Sequence, residues 1–171
     1  RLPADPERLA RIGIGLGADV PMCLAARPLI ARGIGDEITP VDGFPSLGIV
    51  LVNPGVAVST AAVFAALSSR DNPPLPPLPG HLDFHTLCNW LETTRNDLEA
   101  PARAIAPAIN GALAALKKAG AHFVRMSGSG ATCFGLFESG NLAKRAASEI
   151  RKRKPDWFVA ATRNTSQGEA P

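Results

Sequence analysis

The sequence predicts an α+β fold in which helices cover one face of an antiparallel sheet. Residues 47–52 are almost wholly apolar, which is typical of a buried strand. Two further apolar runs, 121–124 and 133–137, flank a short glycine-rich segment, as in a pair of neighbouring strands. Segments with helical spacing precede and follow that pair. The resulting order of strand, helices, strand, strand, helix, strand is that of a split β-α-β layout of the ferredoxin-like kind.

The chain begins with a predicted short helix. Asp5 is a preferred N-cap residue, and Pro6 suits the first helical position, so we expect a helix that continues to Ile14. Three closely spaced glycines are expected to break this helix because glycine weakens helix interiors: Gly13, Gly15 and Gly17.

Three predicted strands follow. Residues 28–34 and 37–41 are two short strands joined by the turn-prone pair Gly35-Asp36. The apolar strand 47–52 ends at Asn53-Pro54-Gly55, which is a turn signal.

Helices are predicted between the apolar strand and the glycine-rich segment. Ser59 or Thr60 can cap a helix that continues to Leu67. The five prolines of 72–80 predict a loop, and 82–91 has helical spacing again.

A second helical region begins at Asn96-Asp97-Leu98-Glu99, where acidic residues favour a helix start. Pro107 is expected to divide it, and 108–119 forms a strong helix that Gly120 ends. The remaining elements are strands at 122–126, 132–137 and 157–161 and an amphipathic helix at 141–153.

Composition excludes several functional classes. The 171 residues are 46% hydrophobic, which suffices for a core, and the formal charge is only +3. The basic cluster 151–154 is typical of a helix end, and no basic face with interleaved aromatics predicts nucleic-acid binding. No apolar run reaches the roughly 18 to 20 residues of a membrane helix. Three widely separated cysteines indicate a reducing, cytoplasmic location.

The glycine-rich segment is the main candidate for chemistry. Ser127, Gly128, Ser129 and Gly130 can bring backbone N–H groups and hydroxyls close to an anion, and Arg125 just upstream can add charge. A phosphate-binding loop and a simple hairpin turn are both compatible with this pattern.

A lone acid is the second candidate. Asp19 lies in Gly17-Ala18-Asp19-Val20-Pro21. Its carboxylate could accept or orient the proton of a substrate hydroxyl, or it could cap a short helix that begins at Val20 or Pro21.

Thr60 and Phe64 are four residues apart, so on a helix they share a face. Phe64 could stack on a flat base while Thr60 binds a nearby polar group. Alternatively, Phe64 packs in the core below a capped helix.

A metal site is not predicted. His81, His85 and Cys88 share one face of a possible helix, but no carboxylate or second cysteine completes a ligand set.

Five motifs occur in a fixed order along the chain: Leu16-Gly17-Ala18-Asp19-Val20-Pro21, Gly33-Ile34-Gly35-Asp36-Glu37, Pro54-Gly55-Val56 with Ser59-Thr60 and Phe64, Asn96-Asp97-Leu98-Glu99, and Met126-Ser127-Gly128-Ser129-Gly130-Ala131. Together they resemble the GHMP kinase superfamily over about Leu16 to Trp157. The resemblance implies a ferredoxin-like C-terminal domain at 47–171, preceded by the tail of an incomplete N-terminal kinase domain at 1–46.

The resemblance also implies an activity. The expected protein is an ATP-dependent kinase that phosphorylates the 2-hydroxyl of a cytidine diphosphate derivative of methylerythritol, in isoprenoid biosynthesis by the non-mevalonate route. Asp19 matches the catalytic acid of the family, and Phe64 matches the residue that stacks on cytosine, with Thr60 beside it. Ser127 to Gly130 match the third glycine-rich motif, at the phosphate and substrate site. Asn96 and Asp97 match a recurrent motif without an assigned chemical role.

The family's main ATP loop and catalytic lysine find no match in this chain. We therefore expect the chain to be a piece of a longer kinase, nearly inactive alone, with ATP and Mg²⁺ bound mainly by the missing N-terminal part. Two alternatives stay open: another small-molecule kinase of the superfamily, of the homoserine or mevalonate type, and a non-catalytic ferredoxin-like binding module.

Overall fold

The computed structural model describes residues 6–17, 19–35 and 37–164. The described residues form two compact units, the first ending at Phe44 and the second covering 45–164. The predicted helix cap Asp5 and turn residue Asp36 lie outside them. The domain boundary after residue 46 stays a prediction.

The first unit holds two helices and a two-stranded antiparallel sheet. The helices are α1 (Pro6–Leu16) and α2 (Val20–Ala25), and the strands are β1 (Leu29–Arg32) and β2 (Glu37–Pro40). The two strands agree with the predicted pair, and the helix that begins at Val20 agrees with one of the two alternatives for Asp19.

The expected break of the first helix at Gly13 and Gly15 is wrong, because α1 continues through both to Leu16. A side chain at Gly13 would place its Cβ only 2.9 Å from Cγ1 of Val20. Gly13 therefore lets α1 and α2 pack closely, and this contact offsets its low helix propensity.

The second unit is built on a four-stranded sheet. Its strands are β3 (Gly48–Asn53), β4 (Phe123–Met126), β5 (Cys133–Phe137) and β6 (Phe158–Arg163). They lie in the order β4-β5-β3-β6, and every neighbouring pair is antiparallel. The first strand of this unit, β3, is therefore an inner strand of the sheet, as in a ferredoxin-like fold.

Five helices belong to this unit: α3 (Thr60–Ala65), α4 (Phe84–Glu92), α5 (Glu99–Ile105), α6 (Ala108–Lys118) and α7 (Gly140–Arg153). Pro107 separates α5 from α6, as predicted, because its ring cannot fit a helix interior. Gly120 follows the end of α6 with φ = 87°, which explains why the helix stops there.

The core lies between the sheet and helices α6 and α7. Val50 and Val52 of β3 are fully buried on the face that these helices cover. Ile109 and Leu116 of α6 and Ile150 of α7 project onto them. Burial of each such side chain stabilises the fold by about 1.5–3 kcal/mol. This interface therefore fixes the strands that carry the loops of the site.

Helix α7 approaches the start of β3 so closely that only glycine fits at position 48. A Cβ at this position would lie 2.3 Å from the carbonyl oxygen of Ser139 and 2.8 Å from Cβ of Ala143. We expect Gly48→Ala to lower the free energy of unfolding by about 1–3 kcal/mol, since backbone must shift to accept the methyl group. Urea unfolding of the chain measures the change.

Gly140→Ala is the matched control. No atom lies within 4 Å of a Cβ at Gly140, in the first turn of α7, so this variant should unfold at an equal or slightly higher urea concentration. Equal midpoints for the two variants would contradict the packing argument.

Candidate functional site

The glycine-rich segment is a tight loop between the neighbouring strands β4 and β5. The Ser127 amide donates to the carbonyl of Thr132 at 2.8 Å, and the Gly130 amide donates to the carbonyl of Ser127 at 3.0 Å. Gly128 has φ = 55° and Gly130 has φ = 92°, values that favour glycine. The segment is therefore a hairpin turn, and its phosphate binding stays a prediction.

Two amides of this loop are available to a ligand. Among the described residues, the backbone N–H groups of Gly128 and Ser129 donate to no protein acceptor. Ser127 is exposed, and its hydroxyl adds a further donor beside them. Consecutive free amides with a nearby hydroxyl suit an anion such as a phosphate group.

Arg125 does not take part in this anion site. Its Nη2 donates to the carbonyls of Leu91 and Thr94, both at 2.9 Å, at the C-terminal end of α4. Burial lowers the pKa of the Arg125 guanidinium, and the carboxylate of Glu99 opposes that shift. The sequence-based expectation that Arg125 adds charge at the loop is wrong, because its donors hold α4 against the sheet.

Asn96 contacts the loop directly. Its Nδ2 donates to the carbonyl of Met126 at 3.0 Å and to the carbonyl of Gly128 at 2.9 Å. Its Oδ1 accepts from the amide of Leu98 at 3.1 Å. The sequence assigned no chemical role to Asn96, since its partners lie about thirty positions further along the chain.

Helix α3 borders the loop on another side. Ser59 is its cap, because the Ser59 hydroxyl accepts from the amide of Ala62 at 3.3 Å. The hydroxyl of Thr60 lies 2.8 Å from that of Ser129. Thr60 is thereby hydrogen-bonded to the glycine-rich loop itself.

Phe64, one turn further along α3, is not a core residue. Its side chain is 45% exposed, whereas the adjacent Val63 is fully buried. The core alternative for Phe64 is therefore wrong, and its ring is free to contact a ligand.

The exposed ring of Phe64 borders a groove of about 500 Å³. Arg95 and Asp97 lie in this groove as an ion pair, with Nε and Oδ1 2.7 Å apart. We call it the Phe64 groove, and it is lined by Phe64, Leu67, Ser69, Arg70, Asn72, Arg95, Asn96, Asp97 and Leu98. Asn96 thus lines the groove and contacts the glycine-rich loop, which joins the two features into one site.

Asp19 lies in the first unit, at the residue that precedes α2. Its backbone carbonyl accepts from the amide of Cys23 at 3.1 Å, but its side chain makes no capping hydrogen bond. The carboxylate is exposed. It occupies the cap position without the contact that a stabilising cap makes, so it is available for another purpose.

The histidines and cysteines form no metal cluster in the part of the chain that the structure describes. The ring of His85 contacts those of Phe84 and His122 edge-on, at centroid distances of 5.5 and 5.7 Å. Burial raises the pKa of the Cys133 thiol to about 12, so it stays protonated and unreactive at neutral pH. No helix of the described residues is long and apolar enough to cross a membrane.

Residues 81–156, which include the glycine-rich loop, match the GHMP kinases C terminal family. The chain carries a GHMP kinase C-terminal domain. This assignment agrees with the predicted α+β fold and with the sheet order described above.

Several known proteins are similar to this chain along most of its length. It is 71% identical over 165 residues to the 4-diphosphocytidyl-2-C-methyl-D-erythritol kinase of Mesorhizobium japonicum, covering 96% of this chain and 56% of the relative. It is 54% identical to the kinase of the same name from Paracoccus denitrificans, over 94% of this chain and 58% of the relative. The chain therefore spans about half the length of these relatives.

Two solved structures resemble the chain. A crystal structure of 4-(cytidine 5'-diphospho)-2C-methyl-D-erythritol kinase has a TM-score of 0.72 and 29% identity, covering 96% of this chain and 59% of that one. A homoserine kinase from Cytophaga hutchinsonii has a TM-score of 0.55 and 18% identity, covering 87% of this chain and 51% of that one. The second likeness shows the fold alone.

Proposed function

We propose that the chain is the C-terminal part of an ATP-dependent, cytoplasmic kinase that phosphorylates the 2-hydroxyl of 4-diphosphocytidyl-2-C-methyl-D-erythritol, a step of isoprenoid (terpenoid) biosynthesis. The observation that carries this proposal is the exposed ring of Phe64 in a groove whose Asn96 is hydrogen-bonded to a loop with two free amides. An aromatic ring suits a nucleobase and free amides suit phosphate, so the site fits a nucleoside diphosphate derivative. The name shared by the similar kinases supports the same substrate.

Each candidate residue has a role in this proposal. Phe64 stacks on the cytosine, and Thr60 holds the loop through Ser129. The amides of Gly128 and Ser129 and the hydroxyl of Ser127 donate to phosphate oxygens. These contacts fix the substrate in position, which is the main contribution of a protein to phosphoryl transfer.

Asp19 is the proposed base of the reaction. Its carboxylate takes or orients the proton of the 2-hydroxyl while the hydroxyl oxygen forms a bond to the γ-phosphorus of ATP. The bond between that phosphorus and the bridging oxygen of ADP breaks, and ADP leaves. An exposed carboxylate without a capping hydrogen bond is compatible with this role.

ATP and Mg²⁺ are assigned mainly to the N-terminal part of the longer kinase. When bound, Mg²⁺ neutralises charge on the transferred phosphate. The described residues bring no three metal-binding side chains together, so they do not fit a metal and we assign none of the steps above to one held by this chain.

A hybrid kinase tests the proposal. In this hybrid, the present chain replaces the matching 165 residues of the Mesorhizobium japonicum kinase. We expect the hybrid to phosphorylate 4-diphosphocytidyl-2-C-methyl-D-erythritol within about tenfold of the rate of that relative. We expect the present chain alone to show almost no turnover, since charge neutralisation at the transferred phosphate is then missing. ADP release in a coupled assay measures both.

The alternatives predict other outcomes of the same assay. A folded hybrid that prefers homoserine or mevalonate would favour another small-molecule kinase. A folded hybrid without any turnover would favour the non-catalytic binding module. Robust turnover by the chain alone would contradict its assignment as a part of a longer enzyme.

A further inference from the structure

We propose that the segment Asn96-Asp97-Leu98-Glu99 is a clamp that positions the glycine-rich loop for phosphate, with Asn96 as its main positioning residue. This inference rests on the proposed function. It assigns a role to a motif that neither the mechanism above nor the sequence explains.

The side chain of Asn96 makes three hydrogen bonds, all of them to backbone groups. Its amide nitrogen bonds the carbonyls of Met126 and Gly128, which bracket Ser127, at 3.0 and 2.9 Å. Its oxygen holds the amide of Leu98 at 3.1 Å. Because both donors and the acceptor face backbone, Asn96 acts on a ligand through the loop rather than by direct contact.

The bond to Gly128 fixes the direction of a free amide. The carbonyl of Gly128 and the N–H of Ser129 belong to one planar peptide unit, in which the two groups point in opposite directions. When Asn96 holds the carbonyl, the Ser129 N–H therefore points away from Asn96. This N–H and that of Gly128 are the two amides of the loop that donate to no protein acceptor among the described residues.

Glu99 holds the strand that leads into the loop. Its Oε2 accepts from the amide of Met126 at 3.1 Å, and its Oε1 lies 3.3 Å from Nη1 of Arg103. β4 is an edge strand, so its outward amides have no neighbouring strand to bond. Glu99 satisfies one of these amides, that of Met126, which is the last residue of β4 before the loop.

The first test measures turnover in the hybrid kinase. We expect Asn96→Ala to lower kcat about 100-fold with less than a threefold change in KM for the cytidine substrate, because a misplaced amide costs rate more than affinity. Asn96→Asp should not rescue kcat, since the isosteric carboxylate offers no donor to the two carbonyls. Asn89→Ala, on the exposed surface of α4, is the matched control and should keep full activity.

Gly48→Ala lowers stability far from the loop, so its effect on kcat measures what a purely structural defect does. If Asn96→Ala lowers kcat no more than Gly48→Ala does, the proposed positioning is overturned. An inactive hybrid with Asn96 intact would instead count against the proposed function.

A second measurement does not need turnover. Hydrogen exchange on the 171-residue chain itself should show the hydrogen-bonded amides of Ser127 and Gly130 exchanging at least tenfold faster in Asn96→Ala. Exchange in β3 should stay unchanged. Unchanged exchange at Ser127 and Gly130 would overturn the clamp whatever the activity of the hybrid.

Discussion

Asp19→Asn should lower kcat of the hybrid kinase by a factor of about 10² to 10⁴, the range that general base catalysis contributes. The amide keeps the size of the side chain but cannot accept the proton of the 2-hydroxyl. KM should change little, since Asp19 acts on the reacting hydroxyl and not on the nucleotide end of the substrate. Steady-state kinetics with saturating ATP measure both constants.

Asp19→Asn should leave the free energy of unfolding unchanged. The carboxylate of Asp19 is exposed and makes no capping hydrogen bond to α2, so its loss removes no stabilising contact among the described residues. Asp156→Asn changes another exposed carboxylate and serves as the control, with full activity expected. A kcat within threefold of the parent in Asp19→Asn would remove Asp19 from the mechanism and favour the binding module.

Phe64→Ala should raise the dissociation constant of CDP by a factor of about 5 to 150, which corresponds to the roughly 1–3 kcal/mol of stacking on one base. The affinity for inorganic phosphate at the loop should change much less, because the ring lies on α3 and not on the loop. Calorimetric titration of the hybrid with each ligand separates the two effects.

A conservative variant tests whether the ring is the cause. Phe64→Trp retains an aromatic surface and should keep CDP affinity within about threefold. The 45% exposure of Phe64 means that its truncation leaves little internal cavity, so the fold should persist in both variants. Equal CDP affinity in Phe64→Ala and the parent would favour a kinase of the homoserine or mevalonate type.

Much of the fold was predictable from local patterns. Strand β3 was predictable because a short continuous apolar run is typical of a buried strand. Helix α6 was predictable because its apolar residues recur at helical spacing along one face. Pro107 and Gly120 act on their own backbone, so the ends they impose could also be predicted. The ordered motifs then indicated the family to which the C-terminal domain belongs.

The rest depends on partners that are distant in the chain. Gly13 continues a helix because Val20 packs against it, a contact that helix propensity does not describe. Arg125 donates to carbonyls at the end of α4, some thirty residues earlier in the chain. Asn96 donates to the carbonyl of Gly128, about as many residues later. Neither contact has a local sequence pattern, so the loop could be predicted while its supports could not.

The hydrogen bond between Thr60 and Ser129 has a consequence for cooperativity. It joins the helix that presents Phe64 to the loop that presents the free amides. Any ligand fragment that orders one of them lowers the entropic cost of ordering the other, and such coupling is reciprocal. A substrate analogue without its base should therefore lose turnover as well as affinity, because the energy of stacking is used to organise the distant phosphate end.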